Sequence, residues 1–258
     1  MQFPVVIHFG KSSLPLHAVL EAAGFFIGFR YFLFLKKRQG DTIESNTRTW
    51  ILIGAIFGAL IGSRLIGALE KPHELFTTEN TWQYIYTNKT VLGGFLGGLF
   101  GVELVKKLIG EKRSSGDLFA YPMILALIIG RIGCFSMGVY EETYGTPTTF
   151  FTGMNLGDGI QRHPISLYEI VFLIVLWIGL QQVEKRYALA EGARFKIFMI
   201  AYIAYRFLQE FIKPSDIVIL GLSTIQLTAI AGLLYYYRYL IHSKKLLQTN
   251  ASTPLHLL

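Results

Sequence analysis

Arginine, histidine and carboxylate side chains fall where this chain is otherwise most apolar. Arg206 lies within AYIAYRFLQEFI (201–212), with Tyr202 four residues before it and Glu210 four residues after, so helical spacing puts all three on one face. Arg131 stands at the end of a long apolar run in GRIGCFSMG (130–138), and Arg64 follows the run GAIFGALIGS (54–63). His17 and Glu21 share the same four-residue spacing, and His163 precedes Pro164 in RHPISLYEI (162–170). Charge in apolar surroundings is costly and needs a partner or a purpose. A guanidinium donates two parallel hydrogen bonds to phosphate oxygens, so Arg131 and Arg206 fit the holding of a lipid phosphate. A carboxylate that orients an imidazole makes a general base of His17 with Glu21, and His163 is a second candidate. Each group also has a plainer use: Arg206 as an ion pair with Glu210, His17 as a hydrogen-bonded partner of Glu21, and Glu169 as a local cap or partner of Arg162.

The elements that carry these residues are apolar blocks of about twenty residues, the length that crosses ~30 Å of hydrocarbon. Seven such spans read out at 17–35, 49–69, 91–109, 117–139, 164–183, 195–212 and 217–241. Half of the chain is hydrophobic (52%), charged residues make up 16%, and the mean hydropathy is +0.44. The expected fold is therefore an all-α polytopic membrane protein, a bundle of about seven transmembrane helices. Residues 1–243 form one transmembrane domain with a head segment at 140–163, and a polar, frayed cytoplasmic tail follows at 244–258. The net charge of +7 reads as topology and anionic lipid rather than nucleic-acid binding, because the aromatics lie inside apolar runs.

Lys36, Lys37, Arg38 and Arg48, then Lys106, Lys107, Lys112 and Arg113, then Lys185, Arg186, Arg194 and Lys196, then Arg238, Lys244 and Lys245 all flank the same side of the bundle. The other side holds only Lys11, Lys71, Lys89, Arg162 and Lys213. The positive-inside rule then puts the N-terminus outside, the C-terminus inside, and the 140–163 head between spans four and five on the extracytoplasmic face. The first fifteen residues lack the basic-then-apolar order of a cleavable signal peptide. Cys134 is the one cysteine, which leaves no intrachain disulfide and leads to the expectation of no metal site. Gly54, Gly58 and Gly62 recur every four residues, as do Gly93, Gly97 and Gly101, with Gly94 and Gly98 beside the latter. Such ridges bring helix backbones together, and they can also line a cavity for lipid tails.

Over residues 17–238 the chain resembles the prolipoprotein diacylglyceryl transferase family. The family signature runs approximately G-R-x-G-N-F-x-N-x-E-x-x-G, and Gly130, Arg131, Gly133 and Phe135 stand in register with it. After a three-residue insertion, Glu142 and Gly145 resemble its E-x-x-G end. Arg162, His163, Pro164, Leu167, Tyr168 and Glu169 are similar to the family's R-H-P-x-x-L-Y-E. Tyr202, Arg206, Phe207, Glu210, Phe211, Pro214 and Asp216 are similar to its Y-x-x-x-R-F-x-x-E-F-x-R-x-P-D. Gly62 and Arg64 match a G-x-R stretch, and Gln226 falls where the family has a glutamine in its last span. Leu92, before Gly93 and Gly94, stands at the histidine of the family's H-G-G, while Cys134 and Met137 stand at the two asparagines of the signature.

The resemblance implies a transferase that moves a diacylglyceryl group from phosphatidylglycerol to the lipobox cysteine thiol of a prolipoprotein, forms a thioether and releases glycerol phosphate. It implies a bacterial inner-membrane location and no cofactor; a monomer is the default expectation. Arg131 and Arg206 match the phosphate holders, with Tyr202, Glu210, Arg64, Glu142, Gly145, Gly93 and Gly94 as further substrate-binding positions. With leucine at 92, His17 oriented by Glu21, or else His163, takes the proton. The alternative is a non-catalytic or repurposed lipid-binding member of the same family.

Overall fold

The computed structural model describes residues 2–10 and 12–248. A short antiparallel hairpin, β1 (Val6–Phe9) with β2 (Ser12–Pro15), leads into α1 (Leu16–Gln39). Pro15 precedes α1, and Lys36, Lys37 and Arg38 fill its last turn, where cations suit the negative end of the helix dipole. The chain continues through α2 (Ser45–Ala68), two short helices α3 (Pro72–Thr77) and α4 (Thr81–Thr87), and α5 (Val91–Ile109), which closes on the left-handed Gly110. A 3-10 turn at Asp117–Phe119 opens α6 (Ala120–Met137), and a second at Gly138–Tyr140 follows it. The head carries a minimal hairpin, β3 (Met154–Asn155) with β4 (Gln161–Arg162). Then come α7 (Ile165–Arg186), α8 (Ala193–Gln209), the hairpin β5 (Ile217–Ile219) with β6 (Leu222–Ser223), α9 (Thr224–Tyr235) and α10 (Tyr237–Ile241).

Four helical stretches are long and apolar enough to cross a membrane: α1, α2, α6 with its flanking turns, and α7. Large apolar side chains stand exposed along them, among them Phe25, Phe26, Ile56, Phe57, Val171 and Val175. This is how helices facing lipid present themselves, since no water is there to be avoided.

The seventh expected span differs most from the sequence reading. Residues 217–223 form a hairpin turned by Leu220 and Gly221, both at positive φ, and the helix begins only at Thr224. A capping box starts it: Ser223 Oγ accepts the Gln226 N–H at 3.2 Å and Gln226 Oε1 accepts the Ser223 N–H at 3.0 Å. The tail is ordered beyond Ser243, because Gln248 N–H bonds the Ala188 carbonyl at 2.9 Å and Ala190 N–H bonds the Leu246 carbonyl at 2.9 Å. Residues 249–258 of that tail lie outside the described residues. Arg48 also departs from its sequence role as a loop charge; it is buried and grips Asp41 and the Ser115 carbonyl.

Two helix pairs make the frame. In the first, α2 packs on α5 along the glycine ridges. A methyl placed on Gly58 would meet the Gly97 carbonyl oxygen at 2.3 Å, and one on Gly62 would meet that of Gly93 at 2.4 Å. In the second, α1 packs on α6 through Gly24 and Gly28, which lie against Ala126. Close backbone approach gives van der Waals contact where lipid offers no hydrophobic drive. On the far side α7, α8 and α9 enclose a core of Leu92, Ile124, Leu173, Phe198, Tyr202 and Ile225.

Candidate functional site

Between the two helix pairs lies a cavity of about 1390 Å³, more than the ~300–1,000 Å³ that holds a drug-sized ligand. Phe25, Phe29, Ala55, Ala59, Gly94 and Gly98 contribute apolar wall. A Cβ on Gly94 would find its nearest neighbour at 3.6 Å, so this second glycine row widens the cavity, while the Gly93–Gly97–Gly101 row is spent on packing.

Charge gathers at one region of the wall. Arg131 (α6) and Arg206 (α8) both line the cavity and are both buried. Glu169 (α7) sits between them: its Oε1 is 2.8 Å from Arg131 Nε, and its Oε2 is 3.5 Å from Arg206 Nη1. The Tyr202 hydroxyl donates to Glu169 Oε1 at 2.8 Å. Two guanidinium groups thus share one carboxylate, leaving a positive excess that an anion can neutralise. Among the described residues neither arginine uses its Nε in an aligned hydrogen bond.

Arg206 does not pair with Glu210 as the four-residue spacing invites. The helix tightens to a 3-10 turn at Glu210–Ile212, and the Glu210 carboxylate accepts from Ser215 at 2.6 Å and Ser223 at 3.2 Å. Glu169 likewise leaves Arg162 to Asp158, 2.7 Å away, and turns inward.

A second cluster adjoins the first. His17 faces Glu21 through Nε2 at 3.5 Å and Glu141 through Nδ1 at 3.2 Å. Glu21 in turn takes Lys89 at 2.5 Å. Cys134, at the turn after Arg131, has its sulfur 3.5 Å from Arg131 Nη1 and 3.9 Å from Glu141 Oε1. Gly133 makes room for the imidazole, since a Cβ there would lie 3.3 Å from His17 Nδ1. Sequence spacing singled out His17 and Glu21, while the family resemblance pointed to Glu142 and passed over its neighbour Glu141. Glu142 lines the cavity too, yet pairs with Lys71 at 2.5 Å on the exposed side. The choice between adjacent carboxylates is made by the 3-10 turn at Gly138–Tyr140, which no periodicity in the sequence announces. The same fold brings a cysteine, a histidine and a carboxylate together at the cavity wall.

The remaining sequence candidates spread out. Arg64 lines the cavity with its guanidinium over the Tyr86 ring at 5.0 Å. Tyr202, Glu210, Gly93 and Gly145 support the wall without lining it. His163 also stays outside; its Nδ1 is 3.1 Å from the Tyr168 hydroxyl, and its backbone carbonyl accepts from Gly145. Leu92 is fully buried in the core.

The sequence model of the family described as prolipoprotein diacylglyceryl transferase matches residues 4–241. The chain belongs to that family. Phosphatidylglycerol–prolipoprotein diacylglyceryl transferases similar to it include one from Cupriavidus metallidurans, 31% identical with 83% of this chain and 81% of the relative covered. Another, from Bordetella bronchiseptica, is 30% identical with 83% of each covered, and one from Nitratidesulfovibrio vulgaris is 28% identical with 83% and 82% covered. The matched stretch contains every residue of both clusters.

Proposed function

We propose that this chain transfers a diacylglyceryl group from phosphatidylglycerol to the lipobox cysteine thiol of a prolipoprotein, forming a thioether and releasing glycerol phosphate. The observation that carries the reading is the pair of buried arginines, Arg131 and Arg206, facing one large apolar cavity with a single carboxylate between them. A phospholipid needs both features together: tails against hydrocarbon and an anionic phosphate against fixed cations.

Bound phosphate would take the guanidinium N–H groups that Glu169 leaves unused. The same groups stabilise the charge that grows on phosphate oxygen as the glyceryl C–O bond breaks, and they need no reorganisation because Glu169 and Tyr202 already hold them. Gly94 and Gly98 give the acyl chains room. Arg64 is a further contact for the headgroup, while Gly93, Tyr202, Glu210 and Gly145 act by holding the wall, and Glu142 ties the head through Lys71. Activation of the thiol falls to His17, with Glu21 behind it. A thiol with a pKa of about 8.5 needs only modest help to lose its proton. His163 is the second candidate and belongs to the head.

In this reading α5, α8 and the α9–α10 segment join the four long helices as spans. The N-terminus faces out and the C-terminus faces in, the 140–163 head is extracytoplasmic, and the chain works as a monomer in the bacterial inner membrane. Residues 1–243 are one unit, followed by the 244–258 tail. The test is transfer by the purified chain to a lipobox peptide in phosphatidylglycerol micelles. Thioether product supports the reading; its absence where a relative works under the same conditions sinks it in favour of a lipid-binding role.

A further inference from the structure

The cavity does not end at the arginine pair. Its wall continues to the opposite end of the bundle, where Lys106 of α5, Lys196 of α8 and Arg238 of α10 line it together with Ser114. Lys196 and Arg206 stand ten residues apart on α8, so about 15 Å separates the two cationic levels, half of the ~30 Å hydrocarbon thickness. The stretch YYYRY (235–239), which the proposed transfer leaves without a role, contributes all of its residues to this part of the wall.

Positive charge exceeds negative along this part of the wall. Among the described residues neither Lys196 nor Arg238 forms an ion pair. Lys196 Nζ donates to the Glu191 carbonyl at 3.4 Å and lies 4.7 Å from the Tyr239 ring centroid, while Arg238 Nε donates to the Tyr237 hydroxyl at 3.1 Å. Lys106 pairs with Glu103 at 3.3 Å, the acid that lines this end. Two further acids nearby are turned to backbone N–H groups: Asp117 accepts from Gly192 at 2.7 Å and Phe195 at 3.0 Å, and Glu191 accepts from Ser114 at 2.9 Å. Lys196 also lies one turn into α8, toward the end of the helix dipole that disfavours a cation. Gly192, at φ +78°, keeps the backbone bare beside it: a Cβ there would lie 2.2 Å from Ser114 Oγ and 3.3 Å from Lys196 Nζ, so hydroxyl and ammonium converge.

We propose that this end of the cavity binds the phosphate of a second anionic phospholipid, distinct from the donor, on Lys106, Lys196 and Arg238, with the Ser114 hydroxyl as a further donor. Guanidinium and ammonium groups are the side chains suited to phosphate, and tyrosines, apolar in the body and polar at the tip, suit the depth where headgroup meets hydrocarbon. The tails of this lipid run along Phe119, Phe195 and Tyr236 toward the arginine pair. Its phosphate stays one leaflet away from Arg206, out of reach of the reacting groups, so the lipid is held and not consumed. It fills the far half of a cavity of about 1390 Å³ and leaves the half beside Arg131 to the donor. The site rests on these residues and not on the transfer reaction.

Dioleoyl phosphatidylglycerol is titrated into the full chain in detergent, and the lipids retained are counted by native mass spectrometry. Wild type is expected to retain one lipid more than the double variant Lys106→Gln, Lys196→Gln, in which that lipid binds about tenfold more weakly or worse. Equal counts for the two chains overturn the site. Lys185→Gln with Arg186→Gln, which removes two exposed cations at the end of α7 that do not line the cavity, leaves retention unchanged. Equal weakening by both pairs reduces the effect to the attraction of any basic face for anionic lipid and overturns the site as well. Dioleoylglycerol, which has the same tails and no phosphate, is expected not to take this place in wild type, a comparison that needs no variant to fold. Its retention on a par with phosphatidylglycerol overturns the phosphate assignment. Displacement of the extra lipid by an equal concentration of inorganic phosphate makes a soluble phosphate the occupant and overturns the lipid. An extra lipid held by a chain that shows no transfer supports this site and tells only against the transferase reading.

Discussion

Arg131 Nε lies 2.8 Å from Glu169 Oε1 across the α6–α7 contact, and both side chains are buried. The same carboxylate reaches Arg206 on α8, so one acid ties three helices at the cavity wall. Removing its charge leaves two guanidinium groups facing each other in low dielectric. Breaking a buried pair in this way costs about 3–5 kcal/mol. Glu169→Gln is therefore expected to lower thermal stability in detergent micelles by that order and to stop transfer. Tyr202→Phe, which removes one hydrogen bond to the acid, should cost about 1–2 kcal/mol. Equal midpoints for Glu169→Gln and wild type would show that the carboxylate is not the tie described here.

His17 and His163 are separated by what they touch. His17 lines the cavity beside Glu21 and Glu141, whereas His163 bonds Tyr168 and supports Gly145 in the head. His17→Ala should lower the transfer rate by about 10²–10⁴, the range for a group that handles the reacting proton. His163→Ala should fall short of that range while lowering the melting temperature. An equal loss of rate in the two variants, with both folded, reverses the assignment.

The legible parts of the fold were those set by local pattern. Apolar length marked the four stretches long and apolar enough to cross a membrane, and four-residue glycine spacing marked the α2–α5 contact. The charges themselves were legible, because arginine in an apolar run is rare enough to notice, but their partners were not. Arg206 had Glu210 at helical spacing and took Glu169 from another helix, since a 3-10 turn moves Glu210 out of line. Glu141 rather than Glu142 joins His17 for a similar reason: one turn, opened by Gly138 at φ +61°, decides which of two neighbours points inward. The 217–223 hairpin was hidden because its residues are as apolar as a span, and only Gly221 marked the turn.

The two glycine rows of α5 should respond oppositely to added volume. Gly97→Ala puts a methyl 2.3 Å from the Gly58 carbonyl oxygen and must push α2 and α5 apart, at about 1–3 kcal/mol. Gly94→Ala meets nothing closer than 3.6 Å and should hold stability within about 0.5 kcal/mol, while the methyl enters the cavity and raises the lipid concentration needed for half-maximal transfer. Paired melting and lipid-titration curves check this, and a Gly94→Ala variant that melts as early as Gly97→Ala contradicts it.

Asp41, in the turn between α1 and α2, gives the stability a pH dependence of definite sign. Burial opposes its ionised form, but Arg48 donates from Nε at 2.8 Å and also from Nη2, and the Ile43 N–H adds a bond at 3.1 Å, so its carboxyl is held below the usual carboxylate range. A carboxylate whose folded value is depressed binds fewer protons in the folded state than in the unfolded one. Its contribution is then complete above the unfolded value of about 3.9 and is lost as pH falls through the lower folded value. Asp41→Asn should cost about 1.5–3 kcal/mol at neutral pH, the worth of hydrogen bonds to a charged group, and leave Arg48 with the Ser115 carbonyl at 2.7 Å. Melting curves of wild type and variant should run parallel from neutral pH down to about pH 4 and converge below it. A gap that widens on acidification would mean that Arg48 is held by something other than the ionised Asp41.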